Sequence, residues 1–194
     1  MGRKFSVRPA LTVKGRTYKG LRGFAGKPFH PPLTDIPVAA YVFAALFDLG
    51  SWVSGNHRPR GLFLNHAATY VLVVGALVSL LAMLTGWADW HRSSQVGTQA
   101  RRTINTHAVI MIATSVIVLV DIAVRVRVDD THAHTTPFVA VLSVLAALLV
   151  STGSTYGGSL VFDYGFNVET SGDHPVWHES ETDVFPGHEG PGAT

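Results

Sequence analysis

The chain is 194 residues long, and 47% of its residues are hydrophobic while only 14% are charged. Soluble domains carry about 25% charged residues, so this composition argues against an ordinary soluble protein. The chain contains no Cys, which excludes disulfides, thiolate-held iron–sulfur clusters, Cys-based zinc sites and a Cys nucleophile. A bound metal or haem would therefore have to be held by His, Met or carboxylates.

The charges are segregated along the chain. Eight of the 15 Lys and Arg residues precede Pro31, and six of the 13 acidic residues follow Asp163. We therefore predict a basic cytoplasmic segment over residues 1–29, a transmembrane domain over 30–165 and an acidic tail over 166–194. The basic segment is expected to bind anionic lipid headgroups. The Gly, Pro and acidic content of the tail is typical of disorder.

Four apolar stretches lie in the central part, roughly at 36–53, 67–87, 108–124 and 137–161. Each approaches or exceeds the ~20 residues that a helix needs to cross about 30 Å of hydrocarbon. Backbone groups in lipid must be hydrogen-bonded within the segment, and no stretch alternates apolar and polar residues as a barrel strand would. The sequence thus predicts an all-α integral membrane four-helix bundle, with adjacent helices antiparallel because the links are short.

The basic residues of the tail and the loops predict the orientation. Eleven lie on the side of the N-terminal tail and the link between helices two and three, and four lie in the links on the opposite side. Both the N- and the C-terminus are therefore expected in the cytoplasm. We expect a multi-pass protein of the plasma membrane, in a prokaryote.

Unusual polar residues collect at the helix ends on the predicted cytoplasmic side. An acid at a helix C-terminus, such as Asp89, opposes the helix dipole and needs a cation nearby. The group can be a hydrogen-bonded His–Asp cluster, or it can be a b-type haem site with one axial ligand on each side of the iron. The candidate haem ligands are His30, His91 and His107. The whole predicted group comprises His30, Asp35, Asp89, His91, His107 and Tyr156.

Capping residues predict where two of the helices begin. Thr34 or Asp35 is expected to cap the first helix, so that His30 lies in an extended segment before it. Thr103 or Asn105 is expected to cap the third helix.

A second polar group is predicted in the outer half of the bundle, from Asp48, His66, Asp121 and Arg125. Acids within a membrane are costly, and they are functional candidates by default. Arg125 follows Asp121 by four residues, so an ion pair within one helix is the first explanation. A structural role and a proton or ion pathway along the third helix, through His107, Thr114 and Asp121, both remain open.

Several motifs resemble the DUF2231 family of predicted membrane proteins. They are GKPFHPPLTDIP at 26–37, LFDLG at 46–50, LTGWADW at 84–90 and YGGSLV at 156–161 with the following YG at 164–165. The resemblance covers about residues 24–168 and implies a four-span bundle, but the family is defined as a domain of unknown function. Some relatives are fused to Rieske-type iron–sulfur domains, which implies redox membrane partners, although this chain has no Cys of its own.

The leading hypothesis is a membrane subunit or scaffold with a His/Asp cluster at its cytoplasmic face. The alternatives are a haem-binding electron-transfer subunit and a proton or ion pathway. The expected partners are the bilayer, a redox membrane complex or a second copy of the chain, and not nucleic acid. The chain has neither the Gly-x-Ser-x-Gly elbow of a hydrolase nor the His pair of a metalloprotease, and whether it is an enzyme stays open.

Overall fold

The computed structural model describes residue 21 and residues 28–55, 59–129 and 134–166, to which the structural account is confined. The predictions for the basic N-terminal segment and for the acidic tail after residue 166 lie outside the described residues, apart from residues 21, 28 and 29. Four long helices make up the described chain: α1 (His30–Ser54), α2 (Arg60–Ser93), α3 (Gln99–Val124) and α4 (Pro137–Phe162). A π-helical turn, Arg125–Asp129, continues α3.

All four helices are long and apolar enough to cross a membrane. No β-strand occurs in the described ranges, so the prediction of an all-α protein with four membrane-length helices is confirmed. Many large apolar side chains point outward: Leu77, Leu84 and Val109 are each more than 60% exposed. A soluble protein rarely exposes so much contiguous apolar surface, whereas a lipid-facing surface is expected to be apolar.

The first helix begins earlier than its capping residues predicted. It starts at His30, with Pro31 and Pro32 in its first turn, where the missing N–H of proline costs no helical hydrogen bond. Thr34 is already helical, and its hydroxyl donates to the carbonyl of Pro31 at 2.7 Å. The expectation that Thr34 or Asp35 caps this helix and that His30 precedes it is therefore wrong.

The third helix also begins earlier than predicted. Its N-cap is Thr98, whose side-chain oxygen accepts a hydrogen bond from the backbone N–H of Arg101 at 3.1 Å. The expected caps, Thr103 and Asn105, lie inside the helix instead. The Asn105 amide oxygen accepts a hydrogen bond from the Trp90 indole N–H at 2.8 Å, which ties the start of α3 to the end of α2.

The bundle consists of two helical hairpins joined along one seam. The most extensive packing is between α1 and α2, followed by α3 with α4 and then α1 with α4, whereas α2 and α3 meet much less. We call the side where α1 begins and α4 ends the terminal side, and the other side the hairpin side. His30 and His107 lie toward the terminal side, and Asp48 and Asp121 lie toward the hairpin side.

Small residues allow the close approach of α1 and α2. A Cβ added at Gly75 would lie 2.7 Å from Cβ of Ala40 and 2.9 Å from Cε1 of Tyr41. The hydroxyl of Tyr41 hydrogen-bonds to Ser79 Oγ at 2.6 Å. Gly75 and Ser79 are one helical turn apart, so two small residues on the same face of α2 lie at its close contact with α1. Tyr41 is fully buried in the apolar core between the two polar groups.

Candidate functional site

Two inward-facing histidines define the terminal-side site. Nδ1 of His30 on α1 lies 2.9 Å from the carbonyl oxygen of Ala82 on α2, and 3.3 Å from Oγ1 of Thr85. Since a carbonyl can only accept, Nδ1 of His30 carries the proton and donates it. The structural reason is the length of α2, which continues past Ala82 to Ser93, so that a carbonyl within α2 lies beside the first residue of α1.

His107 on α3 is held in the same way by α4. Its Nδ1 lies 2.8 Å from the carbonyl oxygen of Gly153 and donates to it. For neither His30 nor His107 do the described residues offer a hydrogen-bond partner to Nε2. In both rings the tautomer is therefore fixed with the proton on Nδ1 and the lone pair on Nε2, the arrangement that metal-ligating histidines commonly adopt.

Each histidine ring packs against a glycine on a neighbouring helix. A Cβ added at Gly86 would lie 2.7 Å from Cε1 of His30, and one added at Gly157 would lie 3.3 Å from Cε1 of His107. Glycine at these two positions leaves the space that the rings occupy. Two glycines of α4, one helical turn apart, therefore hold His107. The carbonyl of Gly153 accepts a hydrogen bond from the ring, and the absence of a side chain at Gly157 leaves space for it.

An acidic residue lies close to the histidines. Asp89 on α2 is only 5% exposed, and one of its carboxylate oxygens accepts the backbone N–H of Leu21 at 3.1 Å. His30 interacts electrostatically with both Asp89 and His107. Asp89 and His107 are thus within electrostatic range of His30, and we call the three residues the histidine site.

The other residues of the predicted cytoplasmic group lie elsewhere. His91 is exposed, and its ring stacks on that of Trp87 with 5.8 Å between centroids and 11° between planes. Asp35 is exposed on α1, and Tyr156 is 39% exposed on α4. The structure does not bring these three side chains together with His30 and His107. Helix rotation separates them from the inner pair although they lie at a similar depth.

A second, fully buried polar group lies toward the hairpin side. The guanidinium of Arg125, at the junction of α3 and its π-helical turn, forms ion pairs with Asp48 of α1 and Asp121 of α3. Its Nε donates to Oδ1 of Asp121 at 2.9 Å. The other guanidinium nitrogens reach Ser143 of α4 at 3.0 Å and Thr69 of α2 at 3.2 Å. One arginine side chain thus connects all four helices.

The polar partners of this group surround both acids. Ser143 Oγ lies 2.5 Å from Oδ2 of Asp48 and 2.8 Å from Oδ2 of Asp121. The hydroxyl of Thr135, just before α4, donates to Oδ1 of Asp48 at 2.9 Å. Asp48, Asp121, Ser143 and Thr135 are all less than 1% exposed and Arg125 is 2% exposed. We call Asp48, Asp121, Arg125 and Ser143 the acid–arginine group.

One residue predicted for this group lies outside it, and Ser143 and several residues that contact the group were not predicted from the sequence. His66 is exposed, and its ring is 6.4 Å from that of Tyr70 on the outer face of α2. The preceding residue, Asn65, faces inward instead, with its amide oxygen 3.4 Å from the Arg125 guanidinium. Asn65, Thr69, Thr135 and Ser143 were not predicted. The signal was present, since each interrupts or borders an apolar helix, but a single Ser or Thr in such a helix usually bonds to its own backbone.

The two polar groups are separated by apolar packing. Thr114, midway between them on α3, uses its hydroxyl within its own helix and donates to the carbonyl of Ile110 at 2.9 Å. The buried core around it includes Tyr41, Leu72 and Val118. Within the described residues, no chain of hydrogen bonds links His107 to Asp121.

The side chains of the histidine site bear on whether it could hold a metal ion or a haem. The described residues contain no group of three or more His, Cys, Asp or Glu side chains that could hold a metal ion. A haem iron already has four porphyrin nitrogens and requires only one or two axial ligands from the protein. His30 and His107 provide two imidazole side chains on different helices, and among the described residues neither ring has a hydrogen-bond partner at Nε2.

The comparisons with known proteins identify one related family. A family model described as "Predicted membrane protein (DUF2231)" matches residues 26–170, which include all four helices. Neither the search of curated proteins nor that of solved structures gave a match.

Proposed function

Because the chain belongs to the DUF2231 family of predicted membrane proteins, whose name assigns no activity, we propose from the site itself that it is an electron-transfer membrane subunit. In this proposal His30 and His107 are the axial ligands of a b-type haem. The observation that carries it is the matched hydrogen bonding of the two rings, each with Nδ1 held by a carbonyl of the neighbouring helix. A bound haem would supply one-electron transfer.

The residues around the two rings have separate tasks. The carbonyls of Ala82 and Gly153 orient the rings and, by accepting from Nδ1, make Nε2 more electron-rich and a better ligand. Asp89, nearly buried beside His30, supplies negative charge that stabilises the oxidised, more positive state of a bound iron. The competing hypothesis, a hydrogen-bonded His–Asp cluster that only ties helix ends together, explains the Nδ1 bonds but gives no role to the two Nε2 atoms, which have no hydrogen-bond partner among the described residues.

The experiment is an oxidised-minus-reduced absorbance spectrum of the detergent-purified protein, with a pyridine haemochrome assay for stoichiometry. We expect about one haem per chain and a Soret band that sharpens on reduction. His30→Ala and His107→Ala should each remove at least half of the bound haem, whereas the exposed His91→Ala should leave it unchanged. His107→Met keeps an axial ligand and should raise the reduction potential, since Met/His ligation does so in cytochromes.

Three results would contradict the haem proposal. One is a flat spectrum from protein expressed with ample haem, and another is equal haem loss from His91→Ala and His107→Ala. The third is a spectrum that neither inner histidine affects while both variants still elute as folded, monodisperse protein. A flat spectrum would leave the scaffold hypothesis, in which a partner protein docks on the terminal side.

The proposal includes the orientation of the bundle. The distribution of Lys and Arg favours a cytoplasmic terminal side, where the haem would face soluble or membrane-bound partners of the cell interior. The chain has no Cys, so single cysteines are clean reporters. An impermeant thiol reagent added to intact cells should label Pro59→Cys, on the exposed hairpin side, and should spare Gln95→Cys in the link between α2 and α3. The reverse pattern would contradict this orientation.

A further inference from the structure

The acid–arginine group contains more close oxygen contacts than its ordinary protons can account for. An arginine has five N–H donors. In this structure Nε donates to Asp121. One terminal nitrogen donates to Asn65 and Thr69, and the other donates to Asp48 and Ser143. All five donors of Arg125 are therefore used. The guanidinium also lies 3.5 Å from Oδ2 of Asp121, but no N–H group of Arg125 remains to donate to this oxygen.

Two oxygen–oxygen contacts at Ser143 then remain to be explained. Its Oγ lies 2.5 Å from Oδ2 of Asp48 and 2.8 Å from Oδ2 of Asp121, and each separation is that of a hydrogen bond. A serine hydroxyl has a single proton, so it can donate to only one of the two carboxyl groups. Two ionised carboxylates would leave the other contact as a repulsion between lone pairs. A proton on one of the two acids gives both contacts a hydrogen of their own.

The contacts of the two acids indicate which one is protonated. Asp48 accepts from three donors, the Arg125 guanidinium, the Thr135 hydroxyl and the Ser143 hydroxyl. A carboxylate with several donors is stabilised in its charged form. Asp121 accepts through Oδ1 from Nε of Arg125, and its Oδ2 has Ser143 alone within ordinary hydrogen-bond distance.

We infer that the acid–arginine group is an intramembrane proton-binding site, in which Oδ2 of Asp121 holds a proton and donates it to Ser143 Oγ. Ser143 then accepts from Asp121 and from Arg125 and donates to Asp48, which satisfies both of its lone pairs and its hydrogen. Asp48 is the ionised acid that balances the guanidinium.

The charge balance supports the same assignment. Two ionised acids and one guanidinium would leave a net charge of −1 in a site less than 3% exposed, and an uncompensated charge within a membrane is costly. The proton on Asp121 makes the group neutral. Among the described residues, α2 and α4 contribute only amide and hydroxyl groups to it, with no further charged side chain. Arg127, two residues after Arg125, is exposed.

The test is infrared spectroscopy of the full chain in detergent or lipid at neutral pH, with isotope-labelled aspartate to isolate the Asp bands. We expect the C=O stretch of one protonated carboxylic acid in the wild type. Asp121→Asn should abolish this band because it removes the carboxyl group. The local structure should persist, because an Asn amide can donate to Ser143 and accept from Arg125 as the neutral acid does. The exposed Asp35→Asn should leave the band unchanged.

Stability distinguishes the two acids independently of the spectrum. Asp121→Asn should unfold at nearly the same midpoint as the wild type, because it replaces one neutral hydrogen-bonding group with another. Asp48→Asn should shift the unfolding midpoint clearly further, since its amide nitrogen must face either the Thr135 hydroxyl or the donors of Arg125 and Ser143. The absence of an acid band in the wild type would overturn the inference. So would a band that survives in Asp121→Asn, or an Asp121→Asn protein that fails to fold while Asp48→Asn folds normally.

Discussion

Arg125→Met is expected to lower the free energy of unfolding by about 3–5 kcal/mol, the cost typical of removing one partner from a buried ion pair. The substitution keeps an unbranched apolar stem but leaves the Asp48 carboxylate without its counter-charge in a fully buried site. It also breaks the contacts by which one side chain joins α3 to α1, α2 and α4. The measurement is an SDS titration of the protein in mixed micelles, followed by helical circular dichroism.

The control for this prediction is Arg127→Met. It removes the same charge from an exposed position two residues away, and it should change the free energy of unfolding by less than about 0.5 kcal/mol. Adding Asp48→Asn to Arg125→Met should recover part of the lost stability, because the buried carboxylate is then no longer present. Equal effects of the two arginine substitutions would show that the ion pairs contribute no stability of their own.

Gly86→Val is expected to weaken haem binding by about 10–100-fold, the loss typical of disturbing a residue that orients a metal-ligating histidine. A Cβ at this position would lie 2.7 Å from Cε1 and 3.1 Å from Nδ1 of His30. The ring must therefore turn away, and its bond to the Ala82 carbonyl is lost. Haem titration of the purified apoprotein, followed at the Soret band, measures the change.

Gly158→Val is the matched control, since an added Cβ there meets only Phe162, at 4.0 Å. It makes the same change within a helix on the terminal side without contacting either histidine. Both variants should remain folded by circular dichroism. Unchanged haem affinity in Gly86→Val would argue against His30 as a ligand, and equal weakening by Gly158→Val would indicate a general loss of bundle integrity.

The membrane character of the fold could be predicted from the sequence because it depends on length and hydrophobicity alone. Four apolar stretches and a family resemblance were sufficient for four membrane-length helices. The helix starts were missed at His30 and at Gln99 for a shared reason. Polar and proline residues in the first turns were interpreted as caps or extended chain, although a first turn tolerates proline and Thr98 provides a cap further upstream.

Depth along a helix could be estimated by counting residues, but helix rotation could not. Counting placed His30, His91 and His107 at one level, and only the structure shows that His91 lies on the outer face beside Trp87. Likewise His66 and Asn65 are adjacent in sequence, yet Asn65 contributes to the buried group and His66 lies outside it. A weakly amphipathic membrane helix has apolar residues on all sides, so periodicity does not specify which polar residue faces inward.

The connection of Asp48 to Arg125 also has a consequence for how the chain is made. The two residues are 77 positions apart, so α1 and α2 are synthesised well before the guanidinium that Asp48 requires. Tight packing around Gly75 lets the first hairpin assemble early, but its buried acid stays without a counter-charge until α3 arrives. A ribosome-bound chain truncated before Arg125 would therefore leave its first helix beside the insertion machinery, and synthesis of Arg125 would release that helix into the lipid before α4 completes the bundle.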